Sequence, residues 1–284
     1  MKREAAAAVA IPVVLAVLFF LPPIAFNSLV ATVALAALWE FFRMAEKAGH
    51  RAAKTVGMGA AAVLLFFACW KWSAPVYSFS PRVSTLALLF TGLLVLVFLS
   101  SVAPLFTGLD PSVALASAAA TMFGVFAIAL PATTLAYLRF ASPDQAGARF
   151  GSRAVLFLFL IVWGCDSFAY YTGRRFGRRK LAPVVSPNKT WEGTLGGLAG
   201  ATLIGAAAGT WAILPEMGPL RGALAGALAS TAGQIGDLVE SLWKRGAGVK
   251  DSGVFLPGHG GFYDRIDSLL FAAPVLAAFV ASLP

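Results

Sequence analysis

The stretch Gly222–Asp267, GALAGALASTAGQIGDLVESLWKRGAGVKDSGVFLPGHGGFYDRID, joins an apolar helix to the most unusual loop of the chain. In its first half Ser230, Gln234, Asp237, Ser241 and Lys244 recur at spacings of four, three, four and three among Ala, Leu and Gly. At about 3.6 residues per turn these five share one face of a helix. An Asp or Lys at the centre of a membrane helix costs about 2.5–3.5 kcal/mol. The stripe must therefore face the protein interior or a water-filled cavity rather than lipid. In the second half Lys244, Arg245, Lys250, Asp251, His259, Asp264, Arg265 and Asp267 are interspersed with Gly246, Gly248, Gly253, Gly258, Gly260 and Gly261. Carboxylates hold hard divalent cations, bases hold phosphate, and glycine lets backbone come close to a ligand. Together they supply what metal-assisted chemistry on a polyphosphate needs. A basic loop that only sets topology requires neither the acids nor the glycines.

The rest of the chain fits an all-α polytopic membrane protein. Of its 284 residues 59% are hydrophobic and 12% charged, and the mean hydropathy is +0.80, outside the range of soluble globular domains. Cys69 and Cys165 both fall in apolar runs, which suggests packing residues rather than a disulfide framework or a zinc cluster. The net charge of +9 fits an anionic lipid surface or a phosphorylated substrate. Nucleic acid is not expected as a partner, because no soluble domain is available to present a basic face.

Nine apolar stretches are expected to be helices, near residues 5–20, 28–42, 56–72, 83–102, 112–138, 154–172, 193–214, 222–243 and 269–283. The first, ending at Pro22-Pro23 without a small-residue cleavage site, reads as a retained helix rather than a signal peptide. Pro131 in the fifth is expected to kink it. The seventh, rich in Gly and Ala, predicts close helix packing. Asp166 interrupts the sixth, and an acid at membrane depth is a functional candidate by default. A polar linker, RFASPDQAGARFGSR, separates residues 1–150 from a functional half, 151–284, within one membrane domain. The first part is open to three roles: scaffold, lipid groove or homodimer interface.

Between the sixth and seventh stretches GRRFGRRKLAPVVSPNKTWEG forms a second basic loop containing Lys189. Its Lys189-Thr190 is no phosphate-binding P-loop, since Pro183 and Asn188 stand where that motif needs glycine. With the N-terminus inside, the Arg43 to Lys54 loop and both motif loops fall on the cytoplasmic side with most of the Lys and Arg. Nucleotide triphosphates occupy that same compartment. A transport pathway would also use an intramembrane polar stripe, but the motifs crowd the second half and no pseudo-symmetric halves are visible.

The spaced set Ser241, Lys244-Arg245, Lys250-Asp251, His259-Gly260-Gly261 and Asp264-Arg265-Ile266-Asp267 resembles the signature of the phosphatidate cytidylyltransferase (CDP-diglyceride synthase) family. Asp166-Ser167, Gly173, Phe176-Gly177, Lys180-Leu181, Ser186-Pro187, Lys189-Thr190 and Glu192-Gly193 are similar to that family's second motif region. Trp243, where relatives carry a smaller apolar residue, and Asn188, often a lysine in relatives, depart from the pattern. The resemblance implies transfer of a cytidylyl group from CTP to phosphatidate, with Mg2+, one ion or two, as cofactor and membrane lipid as partner. It also implies a bacterial inner membrane location with the motif loops towards the cytoplasm. It makes Asp237 and Asp264 the first choice as metal ligands, and Asp251 and Asp267 the second. Lys189, Lys244, Arg245, Lys250 and Arg265 become phosphate contacts. His259 is left as either a phosphate contact or a proton donor, and Asp166, Ser186, Ser241, Gly260 and Gly261 become substrate-binding positions. Close relatives acting on another lipid phosphate or a polyprenol share these features, and the generic Leu, Val and Phe of a lipid-facing surface do not separate them.

Overall fold

The computed structural model describes residues 2–73, 85–106, 109–141, 149–210, 213–253 and 260–283. His259 lies outside them. The protein is an all-α polytopic membrane protein, and each of the nine apolar stretches carries a helix among its described residues. In chain order the helices are α1 (Lys2–Phe20), α2 (Pro23–Lys47), α3 (Lys54–Ser73), α4 (Thr85–Phe106), α5 (Pro111–Gly124), α6 (Leu130–Phe140), α7 (Phe150–Phe176), α8 (Trp191–Thr210), α9 (Gly218–Gly246) and α10 (Tyr263–Ala281). Among the described residues Pro23–Lys47, Pro111–Phe140 and Phe150–Phe176 are each long and apolar enough to cross a membrane.

Sequence punctuation explains the boundaries. Pro22 and Pro23 separate α1 from α2, with Pro23 at the start of the second helix, where the missing N–H costs nothing. Asp110 caps α5 by accepting a hydrogen bond from Ser112 N at 2.8 Å. Pro131 does not break its rod. A π-helical turn, Val125–Ala129, links α5 to α6, and Leu130 N donates to Val125 O five residues back. The wider turn redistributes the carbonyls that the proline leaves without a donor, so the expected kink takes the form of a π-bulge.

The chain packs as two units, residues 1–136 with 246–263 and residues 137–245 with 264–284. In the first, α2 packs against α3 and the π-turn. Its fully buried Phe42 ring fills the space left by Gly57 on α3 and Gly124 on α5. The connection after α2 is tied down where Ala53 N donates to Thr121 Oγ1 at 2.8 Å. In the second unit α7 packs closely along α8. Gly193 meets Gly173, Gly197 meets Cys165, and Gly205 faces Gly222 of α9 backbone to backbone. That is the close packing predicted from the Gly and Ala content of α8. Cys69 and Cys165 are both buried thiols rather than a disulfide pair, as the sequence suggests.

One expectation is corrected. The second basic segment is more than a loop, for it folds into an antiparallel hairpin of β1 (Lys180–Ala182) and β2 (Ser186–Thr190). The half-buried Glu192 carboxylate braces it, accepting from Arg178 N at 3.0 Å and from Arg179 N at 3.2 Å. Thr190 Oγ1 accepts from Gly193 N at 3.1 Å and so caps α8 directly after the strand.

Candidate active site

The polar stripe of α9 is present as the spacing predicts. Ser241 Oγ donates to Asp237 Oδ1 at 3.4 Å, and Gln234 Nε2 donates to Thr194 O of α8 at 3.4 Å. Ser230 is buried on the same helix. The stripe ends in ion pairs. Lys189 of β2 reaches Asp237 Oδ2 at 2.7 Å, so the hairpin delivers its lysine to the middle of α9. Lys244 lies 2.5 Å from Glu240 Oε2 and 2.6 Å from Asp264 Oδ1 of α10. Arg245 Nε donates to Val185 O at 3.3 Å, which fastens the end of α9 to the hairpin turn beside Ser186.

Acidic pairs spaced three apart on α9 and α10 each occupy one helical face. On α9 they are Asp237 and Glu240, and on α10 they are Asp264 and Asp267. Oxygens of Asp237, Glu240 and Asp267 all lie within 4.8 Å of one another. Asp166 of α7 interacts electrostatically with Asp237 and Lys189, and it is accessible although protein crowds around it. Five carboxylates thus share this network with the ammonium groups of Lys189 and Lys244. Such an excess of negative charge among apolar helices is costly unless a cation or protons offset it.

Glu240 makes the point most sharply. It is 1% exposed, and neither of its carboxylate oxygens accepts a hydrogen bond. Lys244 sits at ion-pair distance but off the line of a hydrogen bond. A buried carboxylate with unused lone pairs, close to two others, suits a hard divalent cation. Sequence reasoning did not single out Glu240. Its signal was that of Asp166, an acid in an apolar helix.

The remaining predicted residues divide. Arg265 is exposed at the start of α10 in the second unit. Lys250, Asp251, Gly260 and Gly261 pack with the first unit, the two charged residues exposed and Gly261 buried. There the reading missed a second acid, Glu40 of α2, which is only 8% exposed and sits against Gly253 and Gly261. Trp39, Glu40, Arg43, Met58, Gly253 and Phe262 contribute to the wall of a cleft of about 310 Å3.

Fold and site together define a helical membrane protein whose acids and lysines converge on helix faces, suited to binding a cation and phosphate. The chain belongs to the Cytidylyltransferase family, whose sequence profile matches residues 1–283. It is 44% identical over 165 residues to a phosphatidate cytidylyltransferase of Brucella abortus, covering 56% of each chain. A protein of the same name from Pseudomonas aeruginosa is 45% identical over 126 residues, 44% of this chain and 46% of the relative. The corresponding Staphylococcus epidermidis protein is 49% identical over 126 residues, 44% of this chain and 48% of the relative. The chain therefore spans about half the length of the curated relatives it matches.

Proposed function

We propose that this protein transfers a cytidylyl group from CTP to phosphatidate, giving CDP-diacylglycerol and pyrophosphate. The observation that carries the reading is the convergence of Asp237, Glu240 and Asp267 beside Lys189 and Lys244, within a chain of this family. A phosphate monoester is largely dianionic near neutral pH and attacks the α-phosphorus of CTP without a strong base. The new P–O bond forms as the bond to the β-phosphate breaks, and pyrophosphate leaves with the electron pair. Repulsion between two anions is the obstacle. A bound divalent cation, Mg2+ by chemical preference, supplies charge neutralisation for the triphosphate.

The residues proposed to hold that cation are Asp237 and, from α10, Asp264 and Asp267, with Glu240 closing the group. Lys189 and Lys244 hold phosphate oxygens, because their ammonium groups already stand beside these carboxylates. Arg245, Lys250 and Arg265 are further phosphate contacts. His259 either contacts phosphate or donates a proton, and Asp251 is a reserve acid. Asp166, Ser186, Ser241, Gly260 and Gly261 line the substrate path. The first part of the chain, 1–150, is scaffold, and its cleft beside Trp39 and Met58 is apolar enough to take a lipid chain. Nine spans with both motif segments towards the cytoplasm of a bacterial inner membrane complete the reading. Nucleic acid has no part in it, and a homodimer is compatible with it.

The decisive experiment measures pyrophosphate release by detergent-purified protein given CTP and phosphatidate, with Mg2+ and then with excess chelator. Metal-dependent release that requires the lipid and fails with ATP is the expected result. Release without lipid, or equal release with ATP, would overturn the assignment.

A further inference from the structure

Glu40 lies on α2, far from the motif residues in the chain, yet its carboxylate is the hub of the loop that carries them. Oε2 accepts hydrogen bonds from Ser252 Oγ at 2.8 Å and from Tyr263 N at 2.9 Å, while Oε1 accepts from Phe262 N at 3.0 Å. Gly253 and Gly261 leave room for it, since a Cβ at either position would overlap the carboxylate. Gly260 has φ +72°, the left-handed conformation that glycine adopts without strain, just before the two N–H groups that point at Glu40. Tyr263 is also the first residue of α10, so one carboxylate satisfies both a loop amide and an orphan amide of a helix start. Such charge-assisted bonds are about twice as strong as neutral ones.

We infer that Glu40 is a positioning residue for the motif loop, acting through Ser252, Phe262 and Tyr263 rather than on the substrate. Its grip holds Ser252 on one side of residues 254–259 and Phe262 and Tyr263 on the other. Lys250-Asp251 directly precede Ser252, and His259-Gly260-Gly261 directly precede Phe262. A side chain from α2 therefore sets where the motif pairs begin and end, and Asp264 is the next residue after the second anchor. A displacement of about 1 Å in a catalytic group costs on the order of 100-fold in rate. The inference rests on the proposed reaction for its kinetic consequence, but the clamp itself can be read without turnover.

The test compares Glu40→Ala, Glu40→Asp and Ser252→Ala with the unaltered protein in two measurements. Hydrogen exchange at the Phe262 and Tyr263 amides should quicken in Glu40→Ala and only slightly in Ser252→Ala. In the pyrophosphate assay, well below the unfolding temperature, kcat should fall about 100-fold in Glu40→Ala. KM for CTP should stay within about threefold, as expected when orientation rather than binding is lost. Glu40→Asp, with the same acceptors on a shorter arm, should recover part of kcat. Unchanged exchange in Glu40→Ala would overturn the clamp. Faster exchange with normal kcat, or a loss that rises equally in KM, would overturn the positioning role. If Glu40→Ala does not fold, Ser252→Ala and Glu40→Asp still decide, because graded exchange and graded kcat must move together. Absence of turnover in the unaltered protein would count against the reaction alone, leaving exchange to decide the clamp.

Discussion

Glu40 and Glu240 are both buried glutamates on apolar helices, and they are solved in opposite ways. Glu40 is surrounded by donors, two backbone amides and a hydroxyl. Glu240 has none, and leans on one ammonium beside two further acids. Glu40 has its charge answered by fixed protein dipoles and therefore holds structure in place. The lone pairs of Glu240 stay available, which is what a ligand-binding carboxylate requires. Burial alone thus says little about role; the number of donors around the carboxylate separates the two.

The contrast can be broken experimentally. The largest effect should come from removing the cation, with pyrophosphate release lost in excess chelator and restored by added Mg2+, followed in the coupled assay. Asp237→Asn and Asp264→Asn should each lower kcat by at least about 1,000-fold while the protein still folds, because charge stabilisation at a metal is worth several kcal/mol. Wild-type rates in both would remove the metal assignment. Glu240→Gln should weaken the apparent affinity for Mg2+ about tenfold yet leave the unfolding temperature unchanged or raised, since it removes a poorly solvated buried charge. Glu40→Gln should lower the unfolding temperature instead, because an amide NH2 would face N–H donors. If the two glutamines behave alike in thermal unfolding, the distinction fails. The smallest effect belongs to Ser241→Ala: its 3.4 Å hydrogen bond to Asp237 is long, and kcat should change by no more than about tenfold.

The helices were legible because lipid and protein interiors both demand long apolar runs, and the α9 stripe because helical periodicity makes Asp237, Ser241 and Lys244 neighbours whatever else the chain does. The hairpin was hidden. Strands of three and five residues, with Pro183 in the turn and Pro187 in the second strand, carry no alternation long enough to recognise. Asp264 was expected as a metal ligand by its motif, whereas its pairing with Lys244 required the packing of α10 on α9. Glu40 belongs to none of the spaced motifs. Its partner Ser252 lies 212 residues away, and no local pattern links positions so distant.

The glycine seam joining α7, α8 and α9 has a further consequence. Where backbones touch, as at Gly193 on Gly173 and Gly205 on Gly222, the separation of two helices is set by peptide atoms and not by side chains that can adopt other rotamers. The seam works as a gauge block: it fixes the spacing from the α7 carboxylate to those on α9 regardless of what the outer surfaces carry. Those outer surfaces, rich in Leu and Phe, are free to drift with the lipids around them while the calibration inside stays the same.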